Sequence, residues 1–398
     1  MRNRIGLGVF VVCAPENTLR GFPLAIFLLT TLIFSIMGLI KRPNELTVKT
    51  TLSALIYGQP GMGKAQPLYC NILTPTGFKK LSDLSVGDEV MGHDGKVQKV
   101  LGIYPQGIRP VYRIMTNDSA ITYCDEEHIW TVRSSTGNSR KAGFKNVTLK
   151  EMIAKGISCP LSPSRQSTTR KAIPRYEIPV AEAMDYPEKE YEVNPYILGV
   201  LIGDGSLTGN VAMFSNPDMD NQILEEVKML LPSVYSIRKN EAPQCPQYSI
   251  VLRGNGEGYI QKIKRLGLNV HSGDKFIPSE YKLGSREQRL ALLRGLMDTD
   301  GHANKNRVSF STSSRILADD FVHLVLSLGG IAKAVGYPRE DKGIEYRVTV
   351  NMSECPFTLE RKAAQWKPVT PSRYIIDAEK IEDSECVCIK VSNEDELY

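Results

Sequence analysis

Two stretches of this 398-residue chain repeat one another. LGVLIGDG (198–205) and LRGLMDTDG (293–301) end in Asp-Gly pairs 96 positions apart, and Phe214-Ser215 matches Phe310-Ser311 at the same offset. Each is followed by an amphipathic helix pattern, ILEEVKMLL and ILADDFVHLVLSLGG, and then by a strand-like stretch, YSIVLRG and YRVTVNM. A unit that recurs in tandem predicts a pseudo-twofold domain in which each copy supplies half of a shared site. Small residues four apart, Gly199/Gly203 and Gly295/Thr299, fall on one helical stripe. Such a stripe lets two helix backbones approach closely. The glycine after each aspartate reads as a C-terminal cap, with Asp204 and Asp300 beside free carbonyls at one end of two adjacent helices. Paired carboxylates repel each other unless a hard cation joins them, which suits a Mg²⁺ site for phosphodiester hydrolysis. An Asp-Gly that merely turns the chain explains one copy better than two matched copies.

Composition limits what surrounds this unit. Lys and Arg total 49 against 44 Asp and Glu, a net charge of +5, so any nucleic-acid surface is local rather than global. The eight cysteines include no CxxC pair, and only Cys386 and Cys388 are close neighbours. That excludes zinc-finger spacing and a small disulfide framework, and leaves single thiolates in a reducing compartment. Residues 71–132 and 372–398 alternate apolar and polar positions between turn signals, the texture of an all-β module. Between them and the repeat, Arg133–Arg175 holds ten Lys/Arg and one acid, Glu151. That segment is suited to phosphate contact, and equally to a solvated linker.

The first 64 residues have a different character. Gly21–Ile40 is uncharged and long enough for a membrane helix, with Arg20 before it and Lys41-Arg42 after it. A buried core helix and upstream sequence outside the true reading frame are the competing readings. LSALIY (52–57) then leads into GQPGMGK (58–64), a Walker A loop as far as its lysine. Gly58 and Gly63 would let backbone N–H groups approach phosphate, and Lys64 would reach its oxygens. Ala65 stands where the motif needs a Ser or Thr for Mg²⁺, so the chain is not expected to bind ATP well.

The repeated motifs resemble those of LAGLIDADG homing endonucleases over about residues 190–360. The second copy is the closer match, since Ile202 stands where the other has Asp298, and KFIP (275–278) resembles the segment preceding the second motif. The resemblance implies Asp204 and Asp300 as metal-binding catalytic acids and Lys275 as an electrostatic helper. It also implies two α/β repeats whose sheets saddle double-stranded DNA.

The flanks resemble the two parts of a Hint splicing domain. LTPTGFKKLSDLSVGDEV (73–90) is similar to its first block, CDEEHIWTV (124–132) to the block carrying the activating histidine, and DSECVCIKV (383–391) to its C-terminal block. An intein inserted after Lys64 would account for the broken Walker loop and place a splice junction at Lys64–Ala65. An intein that starts with alanine cannot perform the usual first acyl shift. Ala65, Trp130 two residues after His128, and Cys388 together resemble the class 3 inteins. In that class the internal cysteine attacks the N-terminal junction directly. His128 would polarise the junction or protonate the Ala65 nitrogen, and Trp130 would pack the nucleophile's pocket. Cys70 and Cys386 are rival thiols. Strand periodicity puts Cys386 and Cys388 on one face and does not choose between them, whereas the block match favours Cys388. Asn393 is followed by Glu394 rather than closing a His-Asn pair, so splicing is not expected to reach completion within these residues.

The resulting expectation is a multidomain chain. An all-β Hint (horseshoe) domain is split by an α+β LAGLIDADG pseudo-twofold domain, behind a short N-terminal extein piece with an apolar helix. The boundaries fall at 1–64, 65–185, 186–365 and 366–398. The expected partner is double-stranded DNA, the cofactor Mg²⁺, the state monomeric and the location cytoplasmic, or a membrane if residues 21–40 insert. Two alternatives stay open: a free-standing endonuclease with a splicing relic, and a membrane-anchored P-loop ATPase fragment.

Overall fold

The computed structural model describes residues 46–47, 65–135, 143–167, 172–242, 245–304, 307–340 and 343–393. The apolar segment 21–40 and the loop residues Gly58, Gly63 and Lys64 lie outside the described residues. Among the described residues no helix is long and apolar enough to cross a membrane.

Helices occur at α1 Leu149–Lys155, α2 Pro195–Asp204, α3 Asn221–Leu230, α4 Tyr259–Arg265, α5 Arg286–Asp300, α6 Arg315–Ser327 and α7 Glu360–Ala363. Asn194 starts α2 by accepting the Tyr196 N–H at 2.9 Å, with Pro195 in the first turn. Ser285 and Gln288 start α5 with a reciprocal capping box. Both α2 and α5 run straight into a strand, and the two repeats build antiparallel sheets in the same order. In the first repeat the order is Gly205–Ser206, Met213–Ser215, Gln247–Leu252, Tyr235–Asn240. In the second it is Gly301–Asn304, Arg307–Thr312, Gly343–Asn351, Ile331–Arg339, with Leu46–Thr47 paired to the outer edge. The matched phenylalanines Phe214 and Phe310 are both buried, and Phe310 stacks on Phe321 at 4.2 Å between ring centroids. One hydrophobic cluster joins both repeats through Leu198, Leu201, Leu292 and Leu296.

The flanks form a β module interrupted by this domain. Strand Ser384–Val391 pairs along Val97–Arg109, and strand Arg373–Lys380 lies between Tyr176–Ile178 and Val111–Thr116. A buried ion pair joins the two sides of the interruption: the Arg373 guanidinium lies 2.7 Å from the Asp118 carboxylate. Alternation along Ser384–Val391 sends Val387, Ile389 and Val391 to one core and Cys386 and Cys388 to another. The basic region is not a loop throughout. It holds strand Lys145–Thr148, helix α1 and the pair Ser158–Pro160/Ala172–Pro174.

The segment ahead of α2 is bonded to both modules. Glu182 N–H donates to the His93 carbonyl at 3.0 Å, Asp185 N–H to Gly95 at 2.7 Å, and Met184 N–H to Ser327 at 2.9 Å. Fully buried Arg289 of α5 donates to the Met184 carbonyl, to the Gly284 carbonyl and to the Ser327 hydroxyl.

Glycine at the helix crossing is a steric requirement. A methyl group on Gly199 would lie 2.9 Å from Gly295 Cα and Leu296 N, which are backbone atoms that cannot step aside. Gly295→Ala is therefore expected to destabilise the domain by about 1–3 kcal/mol, despite the better helix propensity of alanine. A lower melting temperature in calorimetry checks this. An unchanged or raised one would mean that the helices do not cross here.

Candidate functional site

The crossing of α2 and α5 brings their C-terminal ends together. Gly203 faces Thr299 and the Asp300 carboxylate, whose Oδ2 is 3.2 Å from where a Gly203 side chain would begin. Thr299 donates its hydroxyl to the Leu296 carbonyl at 2.9 Å, and the hydroxyl oxygen is the atom that faces Gly203. Asp204, Asp300 and Lys275 line a cavity of about 450 Å³ with Ser272, Ser311 and Arg339.

The glycines after the aspartates do not cap in the left-handed conformation. Gly205 (φ −83, ψ 145) and Gly301 (φ −80, ψ 148) are extended. The carbonyls at these helix ends are also not free. Lys275 Nζ donates to Gly203 and Gly205 at 2.8 and 2.9 Å. Lys362 Nζ does the same on the other helix, donating to Met297, Asp298 and Thr299 at 3.0, 2.6 and 3.0 Å. A cation at a helix C-terminus is favoured by the helix dipole. No motif marks Lys362, which lies in the four-residue α7. Its only sequence signal is that a twofold site needs a partner for Lys275.

The electrostatics follow from burial. Asp300 is pushed up to about 7, first by desolvation and then by the charge of Asp204, with Lys275 and Lys362 opposing. Asp204 is also raised by burial, against the pull of both lysines. Both lysines are lowered by desolvation. Asp298 has a different task. It is 1% exposed and accepts the Tyr196 hydroxyl at 2.9 Å and the Leu359 N–H at 3.0 Å. Among the described residues no group of three or more His, Cys, Asp and Glu side chains could hold a metal ion. Asp204 and Asp300 could therefore supply only part of a coordination shell, the rest coming from carbonyls, water or a ligand.

A second constellation lies in the β module. Buried Ala65 packs with Cys386, Val111 and the half-buried Cys388. Gln66 and Pro67 continue as a strand against Val387 and Cys386. Burial raises the Cys386 thiol to about 11, helped by the Asp125 charge. Cys70 is raised to about 12 by burial and donates weakly to the Tyr123 carbonyl. His128 is 1% exposed and meets Trp130 edge-on at 5.6 Å between centroids. Trp130 belongs to a separate core with Ile114, Leu149 and Tyr176, and not to the cluster around Ala65. Asp125, which motif matching passes over, donates its N–H to the Ala65 carbonyl at 3.1 Å.

Residues 287–356 match the model of the LAGLIDADG-like domain. The chain is 28% identical over 370 residues to a replicative DNA helicase DnaB of Mycobacterium intracellulare, covering 86% of this chain and 58% of the relative's length. Solved structures that it resembles include a gp41-1 intein (27% identity, 23% of this chain and 62% of that one, TM-score 0.18). Variants of the homing endonuclease I-DmoI also match (13% identity, 43% and 94%, TM-score 0.32). The family model thus covers the second of the paired motif helices, and residues 287–356 belong to a LAGLIDADG-like domain flanked by the two parts of the β module.

Proposed function

We propose that the inserted domain cleaves double-stranded DNA at a specific site, and that the β module acts on the Lys64–Ala65 peptide bond in protein splicing. The observation that carries the first part is the symmetric end of α2 and α5: an exposed Asp204 and a half-buried Asp300 at one cavity, each flanked by a buried lysine seated on helix carbonyls. The oxygen-only donors and their mutual repulsion fit a hard divalent cation, with Mg²⁺ the choice proposed here. Bound between Asp204 and Asp300, such an ion would supply Lewis acidity to a phosphodiester. The lysines hold the helix ends in register and keep positive charge beside the carboxylates. The outer faces of the two sheets are proposed to take the DNA. The domain divisions at 65–185, 186–365 and 366–398 belong to this proposal, as does a monomeric state. Cytoplasmic location is the matching proposal.

For the junction, Cys388 is the proposed nucleophile. It is half-buried beside Ala65, while Cys386 is 1% exposed with its thiol raised to about 11. A thiol is reactive as its thiolate, so the less buried cysteine suits attack better. His128 is proposed to polarise the junction, while Trp130 packs edge-on against it from the neighbouring core rather than walling the nucleophile's pocket.

Each of Asp204→Asn and Asp300→Asn is expected to lower DNA cleavage at least about a thousandfold, several kcal/mol of transition-state stabilisation. A cleavage assay on either variant at the wild-type rate would refute the metal assignment. The folded carboxyl of Asp300 titrates near 7, above its unfolded value, so its ionisation costs stability increasingly as pH rises to about 7. Without cation, Asp300→Asn should therefore melt no lower than wild type at pH 8. For the same reason a proton competes with the cation below about pH 7. Calorimetric affinity should then fall about tenfold per pH unit there. Cys388→Ala is expected to abolish scission at Lys64–Ala65 in the full chain, read by mass, and Cys386→Ala to leave it. The reverse result would move the nucleophile to Cys386.

A further inference from the structure

We infer that Asp125 is the acid–base residue of the splice junction, an inference that rests on the splicing reading above. Strand Ile121–Asp125 ends beside Ala65, and Asp125 holds that residue through its own N–H at 3.1 Å from the Ala65 carbonyl. Its carbonyl accepts the His128 N–H at 3.4 Å, so one residue fixes both the junction and the turn that carries the histidine. The Asp125 side chain is 2% exposed. Oδ2 lies 3.5 Å from the Arg109 guanidinium, while Oδ1 is buried and accepts no hydrogen bond from the described residues. A purely structural carboxylate at this depth would use both oxygens. A buried oxygen left without a hydrogen bond, on a residue bonded to Ala65, has proton-accepting capacity to spare.

The groups facing Asp125 are Arg109 from strand Val97–Arg109 and Cys386 from strand Ser384–Val391. Glu126, Glu127 and Cys124 adjoin it on its own segment. Burial is the main influence on the carboxyl and raises it to about 6, with Arg109 opposing. It is thus mostly ionised at neutral pH yet takes a proton readily, the property required of a shuttle.

The step balances within the chain. The attacking thiol gives its proton to the Asp125 carboxylate and its sulfur bonds to the Lys64 carbonyl carbon. The carbon–nitrogen bond to Ala65 breaks, and the leaving nitrogen takes the proton from the Asp125 carboxyl. An S–H and a C–N bond are lost, a C–S and an N–H bond are gained, and Asp125 returns to its carboxylate form.

The test uses the full chain. Dithiothreitol releases residues 1–64 from the thioester, and the rate is followed by mass from pH 5 to 9. Wild type should accelerate through an inflection near pH 6. Asp125→Asn, nearly the same shape, should be slowed at least about a hundredfold and lose the inflection. Asp125→Glu should keep the inflection and recover part of the rate, which a merely structural role would not require. Asn and Glu variants with equal rates and equal profiles would overturn the assignment, as would an Asn variant that cleaves like wild type. Absence of Lys64–Ala65 scission in wild type at every pH would instead overturn the splicing reading, and this inference with it.

Discussion

The backbone contact between Gly199 and Gly295 governs the inserted domain. Helices with ordinary side chains at their crossing pack 8–10 Å apart. Glycine at the crossing removes the side-chain layer, so the two C-terminal ends arrive side by side with no room for anything larger between them. The consequence is electrostatic. Two carboxylates are held side by side, one of them half-buried, and Asp300 moves up to about 7. The domain thus holds charge repulsion that a cation would relieve, while the hydrophobic core shared by both repeats keeps the arrangement from relaxing.

The β module meets a different constraint, since its chain is interrupted. Strands on either side of the insertion must find each other in one register, and alternation along Ser384–Val391 enforces it. A one-residue slip would bury Lys390 and expose Ile389. The Arg373–Asp118 pair adds a specific match, because either partner alone would be a buried unpaired charge. Correct closure of the sheet places Ala65 against Cys386 and Cys388. The splice chemistry proposed above therefore depends on the insertion letting these strands meet, and the bonds of residues 182–185 to both modules hold that geometry.

What the sequence made legible follows from what short spacing can encode. The Asp-Gly repeat, the small-residue stripe and the two-residue alternation of the C-terminal strands are local patterns, and each has its counterpart in the elements observed. Burial and distant pairing are not local. Asp125 sits in the run CDEEH, where nothing distinguishes the inward acid from Glu126 and Glu127. Trp130 reads equally as a pocket wall or a core residue, and it lies in the core with Leu149 and Tyr176. The Asp-Gly pairs suggest left-handed caps. The glycines serve close approach instead, since a side chain on Gly301 would meet Met297 Cα at 2.8 Å.

The mismatch between the two motifs, Ile202 against Asp298, has a physical origin in how each lysine is placed. A lysine buried on helix carbonyls must be brought there by a rigid segment, or its desolvation would expel it. Lys275 arrives on the chain just before α5, and α6 pins it: the Ser314 hydroxyl donates to the Lys275 carbonyl at 2.6 Å, and Asp320 accepts the Ile277 N–H at 2.9 Å. Lys362 arrives after the last strand, and the start of α3 holds its segment: Gln222 accepts the Glu360 N–H at 2.8 Å, and Asp220 pairs with Arg361. Asp298 adds a second anchor from within α5, taking the N–H groups of Thr358 and Leu359. Its other contact, the Tyr196 hydroxyl, ties the same anchor back to α2. The first repeat has no such segment to hold, so Ile202 fills the equivalent position with buried apolar surface. Two helices of unlike sequence thereby present like ends, and the symmetry that matters is that of the charges rather than of the residues that position them.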